Sequence, residues 1–173
     1  GNGKHEGIQT PPAFLTAQAT QSYWLELTGR IGMAGIVFRP AGLASLFGLP
    51  MYEFTDERIS LTDVLGPTAA HLYQQLAEAP GPRERVQLLE QFLNRQLLAR
   101  GAVADRTDYA ANLIVAQKGA VNISELMDDL YVCRRQFERQ FLQKVGISPK
   151  YYARVRRVGF LCAELASRRW QID

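Results

Sequence analysis

The chain has 173 residues, 47% of them hydrophobic, and its 20 Lys and Arg against 17 Asp and Glu give it a net charge of +3. This length and composition predict a globular protein of one or two small domains. No apolar run approaches the roughly 18 residues that a membrane-spanning helix needs, and the polar, Gly-rich start does not resemble a secretory signal. The two cysteines, Cys133 and Cys162, are too few for a disulfide framework, which makes a reducing cytoplasm the expected location.

Charge is divided unequally along the chain. Residues 1–100 hold eight Lys and Arg and nine Asp and Glu, a net of −1, whereas residues 101–173 hold twelve and eight, a net of +4. The segment 133–157 alone holds eight positive residues and a single acid, Glu138. A basic half predicts a polyanionic partner, although a basic helix face that is simply solvated fits the charge equally well.

Residues 13–39 are rich in aromatic and β-branched residues and predict antiparallel strands. Large apolar side chains recur at every second position from Tyr23 to Leu27, which is the period of a strand. Gly29 supplies the flexible backbone of a hairpin turn, and Pro40 ends the second strand. The aromatic residues of these strands are expected in the core of the sheet, with the lining of an effector pocket as the alternative.

The pattern becomes helical after Pro40. A short helix is predicted over 41–49, closed by a Gly and a Pro. Amphipathic helices are predicted over about 61–78 and 83–99, and the tight turn between them predicts an antiparallel helical hairpin. The small, mixed segment 101–106 is the expected linker. Four further helices are predicted after it, at about 107–117, 123–130, 134–145 and 149–168.

The helices predicted over 123–130 and 134–145 are short, and a turn of about three residues separates them. Phe137, Phe141 and Val145 lie four apart on the second of these helices. Two such helices form a helix-turn-helix, whose second helix can lie in the major groove of DNA. With the apolar stripe buried, an Arg on the outer face can bond O6 and N7 of guanine, and a Glu can accept from the amino group of cytosine. The residues expected to read bases are Arg135, Glu138 and Arg139.

The start of the last predicted helix is a candidate phosphate site. Ser148 is a good N-cap and Pro149 suits the first helical position, so the free N–H groups there can bind an anion. Among the arginines that follow, Arg156 or Arg157 has internal pairing with Glu or Asp as an alternative. The residues expected to contact phosphate or to flank the reading positions are Arg134, Gln136, Ser148, Lys150 and Arg154.

Part of the sequence resembles a known family. Residues 123–165, ISELMDDLYVCRRQFERQFLQKVGISPKYYARVRRVGFLCAEL, resemble the first helix-turn-helix and the linker helix of the AraC family of bacterial transcription regulators. The segment 36–50 and the helical hairpin of 61–100 resemble parts of the sensor domain in one subset of these regulators. The matching positions in the DNA-binding part are Ile123, Leu126, Leu130, Arg135, Phe137, Arg139, Phe141, Gly146, Ser148, Pro149, Tyr152 and Arg157.

Together with the predicted elements, the resemblance implies an α+β fold that is mainly α. An N-terminal few-stranded antiparallel sheet with a helical hairpin would be followed by a homeodomain-like, AraC-type helix-turn-helix bundle. Residues 1–100 would be part of an effector-sensing and dimerisation domain, 101–106 the linker, and 107–173 part of a DNA-binding domain. Because the family carries two helix-turn-helix motifs and one is visible here, we expect a fragment or a chain that lacks segments, with a natural short form as the alternative.

The resemblance also implies a function and partners. The function would be sequence-specific regulation of transcription in a bacterial cytoplasm, with the helix 134–145 reading the major groove. The implied partners are double-stranded DNA, a small-molecule effector, a second copy of the chain and RNA polymerase, and no membrane. Two other functions stay open: a basic helical protein-interaction module, or a small-molecule-binding protein without DNA binding.

Three residues depart from the family pattern. Met127 stands where a small Ala usually packs between the two helices, Tyr131 where the turn usually has Gly, and Cys133 where Ser usually caps the second helix. A left-handed backbone would cost Tyr131 about 1 kcal/mol or more, and a lost cap costs about 0.5–2 kcal/mol. The motif is therefore expected to be looser than usual or to turn differently.

Nothing in the sequence supports an enzyme. We find no Gly-rich phosphate loop, no paired carboxylates on a cleft-forming pattern and no nucleophile with a nearby base. The spacing of the cysteines and histidines matches no zinc pattern. We therefore expect no catalytic, cofactor-binding or metal-binding residues.

Overall fold

The computed structural model describes residues 9–24, 26, 28–29, 31–101 and 103–168. The described chain is mainly helical, with one small antiparallel sheet of strands β1 (Phe14–Leu15) and β2 (Ile59–Ser60). Phe14 pairs with Ser60 and Leu15 with Ile59. A 3₁₀ helix covers Met51–Phe54. The α-helices are α1 (Gly42–Phe47), α2 (Leu61–Leu65), α3 (Pro67–Glu78), α4 (Pro82–Arg100), α5 (Arg106–Ala116), α6 (Ile123–Asp129), α7 (Arg134–Val145) and α8 (Pro149–Ser167).

The strand prediction holds only at its start. Phe14 and Leu15 do form a strand, but none of the described residues from 16 to 39 does, so the predicted hairpin is wrong. Leu25 and Leu27, which supplied part of its period, lie outside the described residues. The side chains of Trp24 and Val37 are 97% and 99% exposed. A two-stranded hairpin gains little without a second layer to cover it, and the exposure of these two side chains shows that nothing in the described part of the chain covers them.

The expected aromatic core of that sheet is also absent from the described residues. Phe14 and Tyr23 are exposed, like Trp24. The ring of Tyr23 instead lies beneath the guanidinium of Arg58, 3.9 Å from its centroid. High strand propensity in this stretch therefore reflects residue type and not burial.

The predicted helical hairpin is confirmed as α3 and α4, and it packs on α1. Leu72 of α3 and Phe92 of α4 are buried in one cluster with Leu46 and Phe47 of α1. The rings of Phe47 and Phe92 stack with centroids 6.4 Å apart. The first helix of the hairpin, predicted over 61–78, is split into α2 and α3 at Gly66, which has a φ of 65° and precedes a proline. Proline lacks the N–H that would continue α2, so a new helix begins there.

Helices α5 to α8 share a second core. Phe137 and Phe141 of α7 are 1% and 0% exposed, as predicted, and pack with Ile114 of α5 and Tyr152 of α8. The observed bounds of these four helices agree with the predicted ones to within one residue at each end. The turn at Gly119 packs closely against α8. Only glycine fits there, because a Cβ on residue 119 would lie 2.2 Å from the backbone oxygen of Ala153.

The segment 41–55, which contains α1 and the 3₁₀ helix, also contacts the second core. Ala41 is buried among the residues of α5 to α8. Both α1 and the 3₁₀ helix pack against α7. This segment therefore belongs to the surroundings of α7, although the chain separates them by about eighty residues.

Candidate nucleic-acid interface

Helices α6 and α7 are joined by a tight turn whose strain was foreseeable from the sequence. Tyr131 has a φ of 51°, so this non-glycine residue occupies the left-handed region. Its N–H donates to the oxygen of Asp128, and the N–H of Val132 donates to the oxygen of Met127, which fixes the turn. The Tyr131 ring is 90% exposed and therefore adds little packing to offset the strain.

The two helices begin with different caps. At α6, the side chain of Asn122 accepts from the N–H of Ser124 at 3.0 Å. At α7, Cys133 stands at the N-cap and makes no side-chain hydrogen bond, as expected for the loss of a Ser. The N–H groups in the first turn of α7 therefore have no side-chain cap, and the exposed Arg134 and Arg135 belong to the same turn.

The outer face of α7 carries the residues that the sequence assigned to it. The side chains of Arg134, Arg135, Glu138 and Arg139 are exposed, and so is that of Gln136. Arg134 Nε lies 3.0 Å from Glu138 Oε1, an exposed pair one turn apart. Within the described residues, the guanidinium groups of Arg135 and Arg139 have no ion-pair or hydrogen-bond partner. Their charges are therefore available to a molecule outside this chain.

The start of α8 lies beside that face. Ser148 Oγ accepts from the N–H of Tyr151 at 3.3 Å, and Pro149 occupies the first turn, so the predicted cap is confirmed. Lys150 and Arg154 are exposed on the first turns of the helix. Because the Ser148 hydroxyl already bonds its own helix, its contribution to anion binding would come from holding this helix end in place.

Helices α7 and α8 together border an open groove of about 1180 Å³, which we call the basic groove. Its lining includes the start of α6 and one carboxylate, that of Glu138. Gln136, although exposed, is not part of the lining. The cationic side chains that line it are Arg134, Arg135, Arg139, Lys150, Arg154 and Arg157. Six cations against one acid make this groove suited to a polyanion.

The alternative in which Arg156 or Arg157 pairs with Glu or Asp is not found among the described residues. Arg157 Nη2 donates to the backbone oxygen of Gly119 at 2.9 Å. The partner of Arg157 is a backbone carbonyl in the turn after α5, because Gly119 approaches α8 closely. Arg157 therefore ties α8 to the turn after α5, and no carboxylate of the described residues pairs with its charge in the basic groove.

Lys144 has a structural role that was not predicted from the sequence. Its Nζ lies 2.6 Å from Asp108 Oδ2, 2.9 Å from Asp105 Oδ2 and 3.0 Å from Ser45 Oγ. Burial by itself would lower the pKa of Lys144, but hydrogen bonds and the charges of the two carboxylates outweigh it and raise that pKa above its usual value. The available signal was the position of Lys144, which lies seven residues after Phe137 and so on the inward side of α7.

Asp108 has two roles at once. Its carboxylate accepts from the N–H of Asp105 at 3.0 Å and so completes the capping box of α5. The same carboxylate binds Lys144 and accepts from the Ser45 hydroxyl at 2.7 Å. Burial would raise the pKa of Asp108, but these hydrogen bonds, that of Lys144 foremost, outweigh burial and lower the pKa below its usual value.

Comparisons with known proteins identify one region. Residues 2–60 match the model of the family DUF6597, which is described as a domain of unknown function. No curated protein and no solved structure matches the chain. The matched region includes α1 and the 3₁₀ helix but does not reach α5 to α8, which carry the basic groove.

Neither a membrane-spanning helix nor a metal-binding cluster is present in the part of the chain that the structure describes. None of its helices combines the length and the apolar character needed to cross a membrane. In the same residues, no three His, Cys, Asp or Glu side chains come together in a way that could hold a metal ion.

Proposed function

We propose that this chain is a sequence-specific DNA-binding transcription regulator of the AraC type that docks α7 in the major groove. The observation that carries the proposal is the division of α7 into two faces. Phe137 and Phe141 point into the core, while Arg135 and Arg139 point outward into the basic groove. In this account α6, the turn and α7 are a helix-turn-helix of the homeodomain-like kind.

The dimensions of α7 suit this role. Its 12 residues give a length of about 18 Å, and a helix is about 10–12 Å wide, which matches a major groove about 12 Å across. Arg135 and Arg139 are one turn apart, so their attachment points are separated by about 6 Å along the axis. With about 3.4 Å between base pairs, they would meet bases about two steps apart.

Each residue of the basic groove then has a part in docking. Arg135 and Arg139 would each bond O6 and N7 of a guanine, and Glu138 would accept from a cytosine amino group. Arg134, Lys150 and Arg154 would contact phosphates, which sets the orientation of α7 without reading sequence. Gln136 would lie beside the duplex, and Ser148 would hold the start of α8 against the phosphate backbone of the DNA.

The match to DUF6597 adds support from the other end of the chain. Domains of this family are, as a general matter, associated with the N-terminal part of AraC-type proteins. In the proposed regulator, residues 1–100 would sense a small-molecule effector and contribute to dimerisation. The protein would act in a bacterial cytoplasm, contact RNA polymerase at the promoter, and catalyse no reaction.

A binding titration tests the proposal. The most enriched duplex is first selected from a randomised pool and is called the selected duplex. Its affinity and that of an unrelated duplex are then measured by fluorescence anisotropy at two salt concentrations. We expect an affinity that falls steeply with salt, together with a preference for the selected duplex that Arg135→Ala reduces by about 1–3 kcal/mol. Arg83→Ala, an exposed arginine of α4 outside the basic groove, is the control. Binding that is insensitive to salt, or identical in both variants, would contradict the proposal.

A further inference from the structure

The C-terminal end of α7 is held by side chains from a distant part of the sequence. Ser45 of α1 lies 99 residues before Lys144, yet its hydroxyl accepts a hydrogen bond from Lys144 Nζ at 3.0 Å. The same hydroxyl donates to Asp108 Oδ1 at 2.7 Å. Ser45 is thus shared between the lysine of α7 and Asp108, the third residue of α5 and part of its capping box.

A second contact lies two residues further along the chain, at Gly146. Thr55 Oγ1 donates to the backbone oxygen of Gly146, the residue that ends α7, at 2.9 Å. Gly146 has a φ of 93°, and a Cβ there would lie 2.8 Å from Thr55 Oγ1 and 2.9 Å from the oxygen of Met51. The glycine is therefore required both by the left-handed turn and by the approach of the 3₁₀ helix.

These contacts leave the basic groove open. None of the residues that line it in the described chain comes from the segment 41–55. The segment holds α7 at Lys144 and Gly146, whereas the reading positions Arg139 and Arg135 lie five and nine residues before Lys144, nearer the start of the helix. The segment therefore contacts the C-terminal end of α7 and does not cover the face of α7 that lines the basic groove.

We propose that the segment 41–55 is a clamp that positions α7 for DNA, so that displacement of this segment weakens DNA binding. The inference rests on the proposed function and specifies how its site is regulated. A protein in which only the clamped state binds well shows an affinity reduced by the fraction of molecules in that state. A ligand that binds the N-terminal part better when the segment is displaced would lower DNA affinity by the same linkage.

The test removes the two hydroxyl contacts and leaves α7 itself unchanged. The variant is Ser45→Ala combined with Thr55→Val in the full chain. The matched control is Ser60→Ala combined with Thr62→Val, because those two hydroxyls lie 2.7 Å from each other and bond no residue of α7. The probes are the selected duplex and amide hydrogen exchange over residues 141–147.

We expect the clamp variant to raise Kd for the selected duplex severalfold, below the upper limit of about 100-fold that the loss of two hydrogen bonds sets. Its base preference should stay unchanged, because the reading residues are intact. Exchange over 141–147 should quicken by a similar factor. The control should match the wild type in both measurements.

The possible results test the clamp and the proposed DNA-binding function separately. Equal Kd and equal exchange in clamp variant and control would overturn the clamp, and tighter binding by the clamp variant would overturn it as well, since it would show a restraint. If the wild type binds no duplex, the proposed function fails, while exchange still decides whether the segment holds α7. Should the double variant not fold, Ser45→Ala against Ser60→Ala repeats the comparison.

Discussion

Replacing Tyr131 by Gly should stabilise the protein, although it removes a large aromatic ring. The residue has a φ of 51° and its side chain is 90% exposed, so the ring makes few contacts that could be lost. Relief of the left-handed backbone contributes about 1–2 kcal/mol. The greater freedom of Gly in the unfolded chain lowers the free energy of unfolding by about 0.5–1 kcal/mol.

The expected net gain is therefore about 0.5–1 kcal/mol, which corresponds to about 1–4 °C in Tm for a chain of this size. The assay is urea unfolding followed by circular dichroism, with Tyr131→Ala as the control. Alanine removes the same ring but keeps the strain, so it should leave stability nearly unchanged. An equal gain from Ala and Gly would show that the ring, and not the backbone angle, is the source of the strain, and would refute the reasoning.

Three further outcomes follow from the core, the basic groove and the Lys144 cluster. Phe141→Ala should destabilise the fold by about 3–5 kcal/mol in urea unfolding, because the ring is fully buried, whereas Leu142→Ala on the half-exposed side should cost much less. Lys150→Ala should reduce the slope of log K against log salt by about 1 and weaken all duplexes alike, a result that a change in base preference would contradict. The lowered pKa of Asp108 means that its contribution to stability is present above the usual pKa of 3.8 and is lost as pH falls through the lower folded value. Asp108→Asn should therefore flatten the stability curve below about pH 4, as measured by urea midpoints, and an unchanged acid limb would argue against the Lys144 pairing.

The helices could be predicted from the sequence because their signals are local. The spacing of Phe137, Phe141 and Val145 specifies one face of a helix, and that face is buried in the structure. Ser148 and Pro149 likewise mark the start of α8 by their own chemistry. The break at Gly66 also has a local signal, a Gly followed by Pro, but the helical pattern continues on both sides of it and predicts one helix.

The strands and the clamp could not be predicted in the same way. Strand propensity between residues 16 and 39 needs a partner strand or a covering layer, and whether one exists is not a local property. The contact of Ser45 with Lys144 joins residues 99 positions apart. The placement of Lys144 on the inward side of α7 indicates that it needs a partner, but it does not identify Asp108 or Ser45 as that partner.

The central claim is that Arg135 and Arg139 read bases, and sequencing of the duplexes that the protein selects from a randomised pool tests it most directly. The account predicts enrichment of guanine at two positions about two base pairs apart, with one of the two lost in Arg135→Ala and the other in Arg139→Ala. Selected duplexes without guanine enrichment, or with the same enrichment in the wild type and in both variants, would contradict it.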